Sequence, residues 1–160
     1  NIKEKKFSVK TNRIPNDDYG LSKAIFSDQS IRMAKIFGCK ARIMRVFPVY
    51  GIGENKNRLF PSLITAAKLS KNFYLKNPFE KRNFINVKSV TNILYDAMNF
   101  DKKKFNTSQI WHVSENKPLT TLEFAQNYWN IYKAKGKLKF DKKSKKKFNH
   151  LTDYASLWKI

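Results

Sequence analysis

The stretch DDYGLSKAIFSDQSIRMAKIFGCKARIMRVF, residues 17–47, places a helix pattern directly before a strand pattern. Asp17 or Asp18 can cap the start of a helix, because a short carboxylate accepts hydrogen bonds from the first unpaired backbone amides. Gly38 is suited to end that helix, since glycine readily adopts the left-handed conformation that often follows a last turn. The apolar run ARIMRVF (41–47) then indicates a buried strand. This order predicts one unit of an α/β fold.

The rest of the chain continues the alternation of strands and helices, which supports the α/β class. Thr120 or Thr121 opens the last long helix, with Glu123 placed for a capping box. The first sixteen residues and residues 48–57 are predicted to be loops. The predicted elements are helices over 59–71, 89–100 and 118–133, strands over 72–76, 82–87, 109–114 and 136–140, and a short terminal helix over 149–160.

The chain carries a strong positive charge. A net charge of +21 on 160 residues often accompanies nucleic-acid binding. Only six of the 33 basic residues are Arg, however, and Arg is the favoured reader of bases. The densest basic run, residues 133–150, lies near the carboxyl terminus, where a solvated tail is the simplest interpretation. The charge favours attraction of phosphate-bearing small molecules, and a basic nucleic-acid-binding module is kept as the less favoured alternative.

The cysteine and histidine residues show no pattern typical of a metal site or of disulfide bonds. Cys39 is the single cysteine, and a buried, reduced thiol is its predicted state. His112 and His150 have no partners at metal-ligand spacing, so both are interpreted as structural or surface residues, and no metal is expected. No stretch is apolar over the length of a membrane-spanning helix, so no membrane partner is expected. These features favour a cytoplasmic location.

Tyr19 and Lys23 stand four residues apart, which places their side chains on one face of the predicted helix. Chance alone would give roughly one Tyr-x-x-x-Lys match in a chain with this much lysine, so the pair gains meaning only from its context. Gly20, inside the first helical turn, costs about 1 kcal/mol relative to alanine. We therefore expect a ligand or a neighbouring backbone to approach the helix closely at that point.

The context is a series of motifs in a fixed order. YGLSK (19–23) is followed by RVFPVYGIGE (45–54), then by RLFPSLI (58–64) and RNFINV (82–87). This series resembles the carboxyl-terminal half of extended short-chain dehydrogenases/reductases, and most of all the NAD-dependent nucleotide-sugar epimerases and dehydratases. The resemblance covers roughly residues 15–130. It implies the carboxyl-terminal part of a Rossmann-like doubly wound fold, in residues 1–50, and a small substrate-binding α/β subdomain, mainly in residues 51–160.

The resemblance also implies roles for individual residues. Tyr19 would exchange a proton with a sugar hydroxyl, while Lys23 favours its phenolate form and binds the cofactor ribose. Phe47 would contact the nicotinamide. Arg82 would pair with the substrate diphosphate, a task that suits the forked donors of arginine, and Arg58 is a weaker candidate. The alternatives are a surface pair for Tyr19 and Lys23, core packing for Phe47 and a solvent-exposed arginine at position 82.

The chain departs from the family pattern at several positions. Pro48 stands where the family commonly has Asn, and Ile52 where it has Pro, which leaves the identity of the substrate open. The five glycines form no dinucleotide-binding fingerprint. Ser8 and Thr11 lie too close to Tyr19 for the family's catalytic hydroxyl, so neither receives that role.

The expected protein is therefore a partial NAD-dependent enzyme, with NADP as an open alternative, acting on a nucleotide sugar. A homodimer is expected for the intact protein. The chain begins at Asn1 within a charged, loop-like stretch, which suggests a piece of a longer protein. The first alternative is a truncated, non-catalytic relative that binds a nucleotide sugar or a protein partner.

Overall fold

A computed structural model describes residues 6–99, 108–141, 151–152 and 157–158. The helices are α1 (Asp18–Ile36), α2 (Leu59–Lys68), α3 (Val87–Asn99) and α4 (Thr121–Ile131). The strands are β1 (Lys6–Phe7), β2 (Arg42–Val46), β3 (Val49–Tyr50), β4 (Phe73–Leu75), β5 (Lys81–Arg82), β6 (Ile85–Asn86), β7 (Gln109–Val113), β8 (Leu119–Thr120), β9 (Leu138–Phe140) and β10 (Leu151–Thr152). The α/β class predicted from the sequence is confirmed.

The helix-to-strand unit predicted over residues 17–47 is present. The Asp17 carboxylate accepts a hydrogen bond of 2.6 Å from the Gly20 amide and caps α1. Gly38 follows the last turn with φ +64°, the left-handed geometry expected after a helix end. Ser27 and Ala34 are the buried residues of α1, so this helix packs on its neighbours through small side chains.

Parallel pairing brings sequence-distant segments together. β2 pairs in parallel with β7, with Arg42 opposite Gln109 and Val46 opposite Val113. β1–β10, β3–β6 and β4–β9 are also parallel, and β5–β8 is antiparallel. Parallel neighbours require a crossover connection, and α2 and α3 both lie in the crossover between β2 and β7. The proposed division of the chain at residue 50 stays a prediction, although this pairing joins the two sides of it.

Two apolar clusters hold the described elements. The larger one joins α2, α4 and β4 around Leu63, Ala67, Leu75 and Phe124, all at most 2% exposed. Full burial of one such leucine contributes about 1.5–3 kcal/mol. The smaller cluster consists of Ile85, Val90 and Val113 and packs β7 against α3. In the described part of the chain, no helix has both the length and the apolarity of a membrane-spanning segment.

The structure corrects several local predictions. The first sixteen residues are not all loop, because β1 pairs with β10 at residues 151–152, where a terminal helix was predicted. The remainder of that predicted helix lies mostly outside the described residues. RNFINV forms two short strands instead of one, and α3 starts at Val87, two residues before the expected cap. Cys39 is exposed, not buried, since it follows the end of α1 at the surface.

The predicted capping box at α4 is confirmed, and it makes stability depend on pH. The Thr120 hydroxyl accepts from the Glu123 amide at 3.1 Å, and the Glu123 carboxylate accepts from the Thr120 amide at 2.7 Å. Hydrogen bonds from the backbone and then the side chain of Thr120 lower the pKa of Glu123. A lowered folded-state pKa means that the stabilisation is present at neutral pH and is lost as the pH falls through that pKa.

We therefore expect Thr120→Ala to lower the free energy of unfolding by about 1 kcal/mol at pH 7. The loss should shrink, without vanishing, as the pH is lowered past the pKa of Glu123, because the hydroxyl still accepts the Glu123 amide. Urea denaturation across pH measures both effects. Thr65→Ala is the control, since its hydroxyl bonds only the Pro61 carbonyl within α2. Equal losses in the two variants would contradict the cap's contribution.

Candidate active site

Two cavities meet at the carboxyl end of β2, on either side of Phe47. Cavity 1, of about 470 Å³, lies between β2, α1 and the segment before α1. Cavity 2, of about 640 Å³, lies along the loop that follows β2. Phe47 and Pro48 line both. Ligands of open parallel sheets bind outside the carboxyl ends of the strands, so the position suits a binding site.

Tyr19 and Lys23 come together on the first turns of α1. The Lys23 ammonium nitrogen lies 5.4 Å from the centroid of the Tyr19 ring, a cation–π distance. Lys23 and Gly20 line cavity 1. Tyr19 is 72% exposed and lies outside the lining of cavity 1. The helical spacing thus produces the expected side-chain pair, in which Lys23 lines the cavity and Tyr19 does not.

Gly20 explains how the chain before α1 reaches this site. A Cβ atom at position 20 would lie 3.4 Å from the Pro15 Cβ and 2.9 Å from the capping oxygen of Asp17. A side chain here would therefore press on both the cap and the preceding segment. The close neighbour expected from the sequence is the chain itself.

Phe47 and His112 form one wall of cavity 1. Their ring centroids are 5.2 Å apart, and His112 is 4% exposed. Phe47 is half-buried, so it both packs against a neighbour and faces the cavity. The sequence did not place His112 at this site, because its strand β7 lies more than sixty residues beyond β2 and only the parallel register aligns them.

Arg45 is a second wall residue that the sequence reasoning missed. Its guanidinium donates to the Val9 carbonyl at 3.2 Å. Burial, and then the nearby positive charge of Arg13, lower the pKa of Arg45. The alternation of side chains along a strand could have found it, since Arg45 and Phe47 are two residues apart and share a face of β2.

Arg58 lies in the wall of cavity 2. Its Nε donates to Glu54 at 2.7 Å, with side-chain exposures of 66% for the arginine and 16% for the carboxylate. Gly51 has φ +152°, and a Cβ there would lie 2.5 Å from Val87 Cγ1. Glycine is thus required where the loop passes the first residue of α3.

The exposed guanidinium of Arg58 remains accessible to a ligand entering cavity 2.

Arg82 lies apart from both cavities. It donates to the buried Glu80 carboxylate at 2.7 Å, and its side chain is 33% exposed. Its Nε is buried with no hydrogen-bond partner among the described residues. The structure therefore brings Lys23 and Phe47 to one cavity and Arg58 to the next, and leaves Arg82 in neither. No cluster of metal-ligating side chains occurs among the residues that are described.

Comparison with known proteins identifies a family for this chain. Residues 3–110 match the model of the NAD-dependent epimerase/dehydratase family. The chain is 29% identical over 125 residues to a UDP-glucose 4-epimerase from Vibrio cholerae, an alignment that covers 75% of this chain and 35% of that protein.

Solved structures show the same fold. One is a dTDP-glucose 4,6-dehydratase from Bacillus anthracis in complex with NAD, with a TM-score of 0.78 at 16% identity, covering 94% of this chain and 47% of the other. Another is a UDP-glucuronic acid 4-epimerase from Bacillus cereus in complex with UDP-glucuronic acid and NAD, with a TM-score of 0.75 at 18% identity, covering 95% of this chain and 49% of the other.

The chain thus spans half or less of the length of these relatives. The expected fold, the carboxyl-terminal part of a Rossmann-like α/β protein with a smaller α/β subdomain, is confirmed by the structural matches. The matched family segment includes the Tyr19–Lys23 pair, the residues that line cavity 2 and those that line cavity 1 except His112. Because that segment is more than half of the sequence, the chain belongs to the NAD-dependent epimerase/dehydratase family.

Proposed function

We propose that the chain is the catalytic and carboxyl-terminal part of an enzyme that epimerises, dehydrates or reduces a nucleotide-activated sugar with NAD. NADP stays open as the alternative cofactor. The observation that carries the proposal is the Lys23 ammonium group 5.4 Å from the Tyr19 ring, on a residue that lines the same cavity as Phe47. The solved relatives bound to NAD and to UDP-glucuronic acid support this cofactor and this substrate class.

Tyr19 is the proposed acid/base. An isolated phenol keeps its proton at neutral pH, so it accepts one poorly from a sugar hydroxyl. Lys23, whose ammonium nitrogen lies 5.4 Å from the centre of the Tyr19 ring, is the proposed partner of the Tyr19 Oη as it takes the hydroxyl proton and later returns it. Exposure of Tyr19 leaves its Oη accessible to a substrate that lies across the mouth of cavity 1.

The residues of cavity 1 fit one end of a dinucleotide. Lys23 offers donors for a ribose hydroxyl, and Phe47 offers an apolar wall for a nicotinamide ring. The five glycines form no turn for a pyrophosphate, so the other end needs residues that this chain does not contain. NAD, when bound, supplies the acceptor and donor of hydride at the sugar carbon.

Arg82 and Arg58 are proposed to bind the substrate diphosphate. The Arg82 side chain is 33% exposed and Glu80 holds its guanidinium in place, but it lines neither cavity, so its role rests on the family resemblance. Arg58 would contact the diphosphate from cavity 2. A diphosphate gains more from two forked cations than from lysines, because each fork can donate two parallel hydrogen bonds.

We also propose that the intact protein is a homodimer and lies in the cytoplasm. α1 carries large apolar side chains that are at least 47% exposed, namely Leu21, Ile25, Phe26 and Ile36, and Phe37 directly after the helix is 70% exposed. Their burial against a second copy of the helix would remove apolar surface from water. This proposal follows the family resemblance, in which the tyrosine-bearing helix lies at a dimer interface.

Tyr19→Phe in the full-length protein is expected to lower kcat by about 10²- to 10⁴-fold, the usual contribution of one acid/base group. Substrate binding should change little, because only the hydroxyl is removed. Steady-state turnover of nucleotide sugars measures the effect. Tyr95→Phe, on the exposed surface of α3, is the matched control. Unchanged turnover in Tyr19→Phe would remove the acid/base role from Tyr19, whereas a full-length wild-type protein with no turnover of nucleotide sugars would favour the non-catalytic alternative.

Arg82→Lys is expected to raise the KM for the nucleotide sugar by about tenfold, with a smaller effect on kcat. Lysine keeps the charge beside Glu80 but loses the fork and the Nε donor. Kinetics with the intact substrate and with the free sugar separate the two contributions. A KM that stays the same would remove Arg82 from the diphosphate site.

The 160-residue chain alone is expected to bind NAD with a Kd no tighter than about 1 mM. The reason is that it offers contacts to the nicotinamide end only. Isothermal titration of the chain with NAD measures this directly, and the full-length protein serves as the positive control. Micromolar binding by the isolated chain would show that the pyrophosphate site is contained within it.

A further inference from the structure

The segment between β1 and α1, residues 8–16, forms a strap over cavity 1. Its residues make up a large part of the cavity lining, opposite Lys23 and Phe47. β1 fixes the start of the strap by pairing with β10. At the other end, Pro15 lies against Gly20 of α1. The strap thus forms one side of cavity 1.

Hydroxyl groups give the strap its internal shape. The Thr11 hydroxyl accepts from the Ser8 amide at 2.8 Å, and the Thr11 amide donates to the Ser8 carbonyl at 3.0 Å. The Ser8 hydroxyl accepts from the Lys10 amide at 3.1 Å. Both side chains are used to form a turn. This local bonding agrees with withholding the catalytic hydroxyl role from either residue.

Arg13 ties the strap to α1. Its Nη1 donates to the Ala24 carbonyl at 3.0 Å, and its Nη2 lies 2.6 and 2.7 Å from the two carboxylate oxygens of Asp28. The side chains are 34% and 51% exposed. An isolated exposed ion pair stabilises little, but here three contacts converge from one guanidinium onto one helix face.

Arg45 ties the strap to β2 from the opposite side. It donates to the Val9 carbonyl at 3.2 Å and lines the same cavity as Arg13. The two guanidinium groups repel each other, while Asp28 attracts both. Asp28 therefore does two things: it holds Arg13 directly, and it offsets the repulsion between the two arginines that bind the strap.

We propose that Arg13 and Asp28 form a clamp that positions the strap over cavity 1 and so keeps the Lys23–Phe47 side of the reaction site closed to water. They are positioning residues, because neither is placed to touch the reacting atoms. The inference rests on the proposed function for its effect on turnover, since a closed cavity matters only if Tyr19 and Lys23 act beside it. The clamp itself is independent of any activity.

Hydrogen–deuterium exchange on the 160-residue chain tests the clamp. Asp28→Asn should speed exchange of the peptide covering residues 8–16 by about three- to tenfold. Arg13→Gln should speed it less, because it removes the repulsion from Arg45 together with the attachment. The exchanged pair, Arg13→Asp with Asp28→Arg, should restore part of the protection. Arg32→Gln, an exposed arginine on the same helix, is the control.

Unchanged exchange in both single variants would overturn the clamp, whatever the enzyme does. If exchange rose equally along residues 18–36, the variants would be destabilising helix α1 as a whole. That result would also overturn the clamp. Faster exchange confined to the strap, recovered in the exchanged pair, is the expected result.

Kinetics of the full-length protein test the consequence for turnover. Asp28→Asn should lower kcat by about three- to tenfold and change KM less, and the exchanged pair should recover part of the loss. Faster strap exchange with an unaltered kcat would overturn the positioning role. The proposed function is tested separately: if the full-length wild-type protein turns over no nucleotide sugar, the function fails, and if Tyr19→Phe keeps full turnover, the role of Tyr19 fails, while the exchange data still decide whether the clamp exists.

Discussion

The parallel pairing of β2 with β7 is the constraint on which the candidate site depends. It sets Arg45 opposite His112 and thereby places the His112 ring 5.2 Å from the Phe47 ring at the end of β2. A shift of one residue would turn these side chains to the opposite face of the sheet, because side chains alternate along a strand. Cavity 1 would then lose its inner wall, and α1 would pack over a different set of groups.

Because its buried residues are small, α1 can pack on the β2–β7 pair although it carries many charged side chains. Ser27 and Ala34 are buried, whereas most of the large apolar side chains of α1 point away from the strands. The helix can therefore lie close to the sheet while presenting Lys23 to the cavity. Gly20 also permits close packing, in the first turn of α1. Its missing side chain leaves room for Pro15 and for the cap at Asp17.

Local features of the fold could be predicted from the sequence, and long-range ones could not. The α4 capping box and the end of α1 at Gly38 follow from residues within one or two turns, and both were expected. The β1–β10 pair joins segments more than 140 residues apart. Each strand has only two residues, which is too short for a periodic pattern to predict it. His112 was missed for the same reason, since its place at the site depends on the register of β7 against β2. Arg45 differs, because its two-residue spacing from Phe47 could have indicated a shared face.

The residues proposed for the reaction chemistry and those proposed for substrate binding lie in different parts of the chain. Tyr19 and Lys23 belong to α1, whereas Arg58 and Arg82 belong to segments that pack around the aromatic core of α2 and α4. Pro48 lies where the two parts meet, lines both cavities and accepts from the Ile85 amide at 3.0 Å. A proline there keeps this backbone bond but has no side-chain donor for a ligand. The departure from the asparagine that the family resemblance implies therefore bears on the proposed substrate site between the two cavities, while the proposed Tyr19–Lys23 pair lies on α1, in a different element.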